Sequence, residues 1–478
     1  MRTFRDPGGE MTQATGIVEQ VASVVGEPAV ADRLAVSGPP DVLPSLFQVT
    51  TLAGASIAAA AVGAGRLLSA RTGQGAADLA LDTRHAAAVF RSERHLRVDG
   101  RPPADPGDPI SGYYPTADGR WIQLHCGFPH HRNGLLDLLG APNDRAGVAR
   151  VIHRLDAAPL ETELQAMGLC ASMARSEHEW SAHRQGRALA ELPLVEITRL
   201  DDTSPWPPRP LRPHDGPAAG VRVLDLTRVV AGPIAGRTLA GYGADVLRVG
   251  AAHLPELPTP LVDTGFGKRN AFLNLRVAAD ARRLRELIAT ADVVLQAYRP
   301  SALDRLGFGP DAVARLRPGI VYATVSAYGR RGPWSGLRGF DSLVQTASGI
   351  ALAGARAAGS PEPLPLPAQA LDHATGYLAA YGVLDALTRR ATEGGSWHVR
   401  VSLARTGRWL QELGHHDTLG HPDLAADDVA PYRETAASGF GLLSYIRPAG
   451  TVAGVAPRWN SPPARLGTSD PVWLNPAH

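Results

Sequence analysis

Asp372 is the residue best placed to do chemistry. It stands at the front of a helical pattern in which Leu378, Tyr381, Leu384 and Leu387 recur at helical spacing. Thr392-Glu393-Gly394-Gly395 then predicts a turn, and the alternating run ending at Ser402 predicts a strand. The simplest role for an aspartate in that place is to cap the orphan N–H groups of its own helix, against the positive end of the dipole. The second role is nucleophilic. A carboxylate with a reference pKa of ~3.9 is ionised at neutral pH and needs no partner base to attack.

Basic residues form the next pattern. Lys268 and Arg269 follow Gly265 and Gly267, Arg299 and Arg305 follow a strand-like run, and Arg338 precedes Phe340-Asp341. In loops at one end of a parallel sheet they would neutralise a ligand carrying several phosphates. The competing reading is scattered surface arginines in an arginine-rich chain. His415-His416-Asp417 with His421, and His125 with His130 and His131, have no recognised metal spacing. They read as solvated loops, and no metal is expected.

An α/β architecture, a parallel sheet covered by helices, follows from the elements that must carry these residues. Val221 to Leu226 reads as an apolar strand, Pro233 opens a helix through Leu239, and Ala244 to Val249 is a second strand. Further strands are predicted at Asp292 to Ala297 and Ile320 to Ser326, with helix between them. Strands so spaced form a parallel sheet that binds ligands at its carboxyl ends. The first turn, Asp225 to Pro233, lacks the three glycines of a dinucleotide fingerprint, which disfavours a nicotinamide dehydrogenase. Neither a Walker loop nor a serine elbow occurs. Upstream, Tyr113 to Leu124 predicts a hairpin turning at Asp118-Gly119, and helical patterns run to about Ala190.

With 478 residues and a net charge of +2, the chain gives no reason to expect nucleic acid or a membrane as its partner. Two cysteines without paired spacing fit a reducing cytoplasm. The apolar run Leu52 to Leu68 is largely alanine and glycine and is expected as a buried helix. Six prolines between Pro205 and Pro217 mark a linker. The expected organisation is a leader (1–40), a first part (41–204), the linker (205–217), a Rossmann-like domain (218–410) and an extended tail (411–478).

Four successive stretches carry a resemblance: VRVLDLTRVVAGPIAGRTLAGYGADVLRV, GKRNAFLNL, ADVVLQAYRPSALDRLGFG and RPGIVYATVSAYGRRGPWSGLRGFDSLVQTASG. In order and interval they resemble the class III CoA-transferases, which include formyl-CoA and carnitine-CoA transferases and α-methylacyl-CoA racemases. The resemblance implies a Rossmann-like parallel-sheet domain with a smaller α+β domain, and a cytosolic homodimer. Acyl-CoA and a carboxylic acid would be the substrates, with no tightly bound cofactor. It places the catalytic aspartate on Asp372 and CoA against Arg228, Ala231, Lys268, Arg269, Ala297, Tyr298, Arg305 and Arg338. An aspartyl-CoA thioester would be the intermediate, with the N-terminus of the Asp372 helix a source of oxyanion donors. Three positions depart from the pattern. Phe340 replaces the racemase histidine, Val230 the glutamine of the formyl-CoA branch, and Gly250 the acid that usually ends the second strand. Racemisation is thereby short of a base, while isomerisation and silent CoA binding stay open as alternatives.

The first half resembles the later portion of the same family. Thr51 to Leu81 lines up with Asp372 to Ser402. The hairpin and HEWSAHRQGRALAELPLVEI resemble the family's small domain and the segment after it. Thr51 stands at the nucleophile's position, where it would cap a helix but attack poorly.

Overall fold

The computed structural model describes residues 8–103, 107–206 and 210–474. Parts of the expected leader, linker and tail therefore lie outside the described residues.

A seven-stranded sheet positions the site. Its order is Lys268–Phe272, Asp245–Gly250, Arg222–Asp225, Val293–Gln296, Val321–Ser326, Trp397–Ser402 and Glu196–Arg199. The first six strands run parallel, and Glu196–Arg199 closes the edge antiparallel to Trp397–Ser402. Four of the six parallel strands fall within a residue or two of their predicted bounds, because continuous valine and leucine runs suit strands buried on both faces. Two strands differ from the sequence reading. Lys268–Phe272, expected as a loop, pairs with Asp245–Gly250, and Glu196–Arg199 joins the sheet from the far side of the proline-rich stretch.

Two long helices cross at the centre of the molecule. Val49–Thr72 contains the apolar run and is buried from Val49 through Gly65, packed against Ala370–Thr392. Gly63 makes this close approach possible, since a Cβ there would stand 3.1 Å from Leu384 Cβ and 3.3 Å from the Tyr381 carbonyl. Arg66 fastens the crossing by donating to Asp385 Oδ1 at 2.8 Å and to Glu27 Oε2 at 2.9 Å. Helix Gly8–Val25, which no clear periodicity predicts, lays Ile17 and Val21 into the same core.

The two long helices start alike. Val49–Thr72 begins at Gln48 with φ −73° and ψ 61°, and Ala370–Thr392 begins at Gln369 with φ −74° and ψ 60°. Each leads through a left-handed glycine (Gly73, Gly394) to a strand that pairs parallel with the strand before the helix. Each such strand ends in a side-chain cap: Asp82 accepts from His85 N–H, and Ser402 from Arg405 N–H.

The smaller α+β unit consists of the strands Gly112–Pro115, Trp121–Leu124 and Ala171–Met173 with helices Pro129–Leu139, Arg145–Ile152 and Ala157–Ala166. It has its own core around Ile110, Tyr114, Ile122, Leu135 and Leu164. The tail, expected as extended throughout, first forms the hairpin Arg433–Ser438 and Gly441–Ile446. It then runs extended along the edge strand: Ser461 O accepts from Gly267 N–H, and Ala464 O from Asn270 Nδ2. An edge strand otherwise presents unpaired backbone groups, and this tail covers them.

Candidate active site

Asp372 is the third residue of its helix, not the cap, and its side chain is 7% exposed. The sequence-based expectation that it caps its own helix is corrected here. Asp341, at the start of helix Asp341–Ala347, does the capping from outside: its Oδ2 accepts the Asp372 N–H at 2.9 Å, and its carboxylate also accepts from Leu371 N–H. Gln345 Nε2 donates to Asp341 Oδ1, and Gln345 Oε1 accepts from Leu366 N–H at 2.8 Å. One carboxylate thus fixes both the helix start and the loop leading into it. Those N–H groups are consequently engaged, and the expected supply of oxyanion donors at this helix start is not free.

The Asp372 carboxylate itself is met from a different helix. Ala231 opens helix Ala231–Gly241, and its N–H donates to Asp372. Gly376 lets the two helices come this close, because a Cβ there would lie 2.6 Å from the Ala231 carbonyl. Val229, two residues earlier, is held at φ +72°, a region that β-branched residues rarely enter. Such strain persists only where surrounding structure enforces it, and here it turns the chain so that Ala231 leads into Asp372.

Beneath that turn lies a buried ion pair. Lys268 Nζ donates to Asp225 Oδ2 at 2.8 Å and to the Pro233 carbonyl at 2.7 Å, with the two side chains 1% and 0% exposed. Asp225 Oδ1 accepts from Thr227 N–H at 2.9 Å and also from its hydroxyl. Lys268 therefore braces the first turn from below and has no access to a ligand, correcting its assignment to a phosphate-binding loop. Burial pushes its pKa down, opposed by Asp225. Its neighbour Arg269 also sits on the edge strand, paired with Asp245 at 2.9 Å and donating to the Val472 carbonyl at 2.6 Å.

The remaining predicted residues divide into two groups. Arg228 pairs with Glu256 at 3.0 Å and lies 5.2 Å over the Phe128 ring of the small unit. Arg338 donates to the Gly168 carbonyl at 2.8 Å and faces His131 Nε2 at 3.3 Å. Burial, then Arg338 and Arg228, lower the pKa of His130, and burial, then His130 and Arg338, bring that of His131 down to about 3. The fold thus brings Arg228 and Arg338 together around the small unit. Tyr298 is half-buried nearby, its pKa raised by burial and lowered by Arg228. Its N–H donates to Gln296 Oε1 at 2.8 Å, and Ala297 packs against the main core. Arg305 stands elsewhere, in a cavity of about 630 Å³ shared with Arg299, Arg330, Arg400 and Arg405.

Sequence reading missed the contribution of the first half. Glu93, in helix Ser92–His95, approaches His373 Nε2 at 3.3 Å directly beside Asp372. Although burial pushes the Glu93 pKa up, His373 pulls it below the carboxylate range. Ser92 donates to Asp263 Oδ2 at 2.8 Å, and Arg91 Nε to the Pro367 carbonyl at 3.0 Å. From the small unit, His125 stacks on Phe340 with ring centroids 3.7 Å apart. Burial holds His125 neutral, with its pKa down to about 4. No local pattern signals these contacts, which join residues some 170 to 280 positions apart.

Electrostatics correct the view of Asp372 as a permanently ionised carboxylate. Burial, then Asp341, then Glu93 raise its pKa well above the usual range, with the Ala231 N–H opposing. Asp341 is itself pushed up to about 6 by burial. Two carboxyls this close cannot both ionise cheaply, and each raises the cost of the other's charge.

At the other helix start, Thr51 is likewise the third helical residue and not a cap, correcting the expectation made for it. Its hydroxyl donates to Gln48 Oε1 at 3.3 Å.

Residues 219–435 match the sequence model of CoA-transferase family III. An acetyl-coenzyme A transferase, nodX, of Hypoxylon pulicicidum is 34% identical over 344 residues, 67% of this chain and 58% of that protein. A probable fatty acyl-CoA transferase of Mycobacterium tuberculosis is 33% identical, covering 44% of this chain and 56% of its own. The formyl-CoA:oxalate CoA-transferase of Streptomyces coelicolor is 32% identical over 46% of this chain and 58% of its own. The chain thus spans less than two thirds of each of these relatives. The matched residues 219–435, which carry the first turn, Asp341 and Asp372, are those in which the chain is similar to CoA-transferase family III.

Proposed function

We propose that the chain transfers CoA from an acyl-CoA to a carboxylic acid, with Asp372 as nucleophile and an aspartyl-CoA thioester as intermediate. The observation that carries this reading is the buried Asp372 carboxylate at a helix start, with the Ala231 N–H donating to it. In the first step the Asp372 carboxylate bonds through one oxygen to the thioester carbonyl carbon, the C–S bond breaks, and CoA is expelled as thiolate, leaving a mixed anhydride of Asp372 and the acyl group. The thiolate then attacks the aspartyl carbonyl and displaces the donor acid. During this second step the developing oxyanion is one of Asp372's own oxygens, the atom set that the Ala231 N–H already addresses. An acceptor carboxylate reverses the sequence and leaves with CoA. Asp341 acts as a positioning residue, holding the helix start by its two backbone contacts. Arg228, Ala231, Ala297, Tyr298, Arg305 and Arg338 are the proposed contacts for CoA; Lys268 drops out of the expected set, and so does Arg269, engaged on the edge strand by Asp245 and the Val472 carbonyl. The first half is read as a partial copy in which Thr51 has replaced the nucleophile, supported by the matched helix starts at Gln48 and Gln369.

The test is mass spectrometry after incubation with a panel of acyl-CoAs and trapping with hydroxylamine or borohydride. Modification confined to the Asp372 peptide is expected; its absence across the panel refutes the reading.

One observation favours a second reading, acyl-CoA isomerisation. His125 brings an imidazole from the small unit onto Phe340, whose position carries the racemase branch's histidine. Deuterium uptake from solvent at the α-carbon without CoA exchange would select it.

A further inference from the structure

Away from Asp372, three side chains with no shared sequence motif converge at the start of the Thr51 helix. Asp41, His416 and His421 each offer a ligand atom, and these atoms all lie within 4.8 Å of one another. His416 Nε2 stands 3.2 Å from Asp41 Oδ1, and the His416 and His421 rings are 4.4 Å apart. All three side chains are half-buried. A histidine–carboxylate pair is by itself an ordinary hydrogen bond. The third member changes that: His421 Nε2 is buried and has no hydrogen-bond partner. A buried polar nitrogen without a partner is costly, and a metal ion is one way to satisfy it.

The backbone presents these donors from two fixed sides. His416 N–H donates to the Leu46 carbonyl at 2.8 Å, and Phe47 pairs with His415 as an antiparallel bridge. Gln48 Nε2 reaches the Leu413 carbonyl at 2.5 Å. On the other side, Val42 N–H donates to Thr50 Oγ1 at 3.4 Å and holds the segment after Asp41. The donors therefore come from the loop after strand Leu34–Ser37 and from the segment beyond helix Leu403–Glu412.

We propose that Asp41, His416 and His421 bind one divalent cation of the zinc class, clamping the segment after Leu413 onto the first half. Two imidazoles and one carboxylate are borderline donors that suit zinc; calcium and magnesium prefer all-oxygen shells. Three protein ligands leave a position for water. This site is distinct from the Asp372 site, where the groups acting on Asp372 are Asp341, Glu93 and Ala231.

Untagged full-length chain, stripped with chelator and dialysed, is titrated with Zn²⁺ by calorimetry, with Co²⁺ absorption as the spectroscopic readout. One equivalent per chain is expected, with a higher melting temperature on saturation. Affinity should fall at least ~10-fold in both His421→Ala and Asp41→Asn, as loss of one of three ligands requires. Asp41→Asn keeps size and shape, so it decides the matter if His421→Ala does not fold. His130→Ala should bind as the parent does. Absence of saturable binding up to ~100 µM Zn²⁺, or binding that survives both ligand variants, overturns the proposal.

Discussion

Asp372→Asn keeps the shape of the side chain and removes its charge, so it separates chemistry from electrostatic cost. Asp341 rises from 3.8 to about 6 on folding, which at ~1.4 kcal/mol per pKa unit is roughly 3 kcal/mol. A carboxyl whose folded pKa is raised holds its proton more tightly folded than unfolded. That stability is present below the unfolded value and is lost as pH climbs through about 6. Asp372 is raised in the same direction by burial, Asp341 and Glu93, so the parent chain goes on losing stability as this second carboxyl ionises. Asparagine has nothing to ionise. At pH 5, a little above the unfolded value, the gap between variant and parent should be narrower than at pH 8. At pH 8 the variant should be the more stable, read as a higher melting point. CoA exchange should fall to background at both. A variant less stable than the parent at pH 8, or a difference that does not change with pH, would refute the like-charge pair.

Lys268→Met leaves Asp225 as a buried, unpaired carboxylate and should cost about 3–5 kcal/mol, measured by denaturant unfolding. Adding Asp225→Leu should recover part of that loss. Arg305→Ala should raise KM for acyl-CoA ~10-fold with kcat little changed, because a phosphate contact remote from the reacting atoms is made equally in ground and transition states. Thr51→Ala removes a hydroxyl that donates to Gln48, and exchange should stay within ~2-fold of the parent since Asp372 is untouched.

Periodicity made the parallel sheet and the Asp372 helix legible, because strands buried on both faces and a long helix leave strong apolar patterns. The Pro205 to Pro217 cluster was equally visible, yet the strand Glu196–Arg199 crosses back over it to complete the sheet. Lys268 misled because a lysine after glycines resembles a phosphate loop, whereas its ammonium is consumed by Asp225 within the core. Asp372 was legible as a helix-start carboxylate; that Asp341 does the capping was not, since their contact spans 31 residues and depends on how two helices dock. Glu93, His125 and the Asp41, His416 and His421 cluster are tertiary juxtapositions without a local signature. Their residue types were readable and their partners were not.

The sheet's two edges are finished by segments that lie on either side of it in the chain. Glu196–Arg199 precedes every parallel strand, and the tail at Ser461 and Ala464 comes after them all. During synthesis the first of these edges waits unpaired for Trp397–Ser402, about 200 residues downstream at ~5–20 residues per second. Lys268–Phe272 likewise stays uncovered until the tail has emerged. The nascent chain therefore spends tens of seconds with open β-edges, and its yield should depend more on chaperone supply and translation rate than its finished packing suggests.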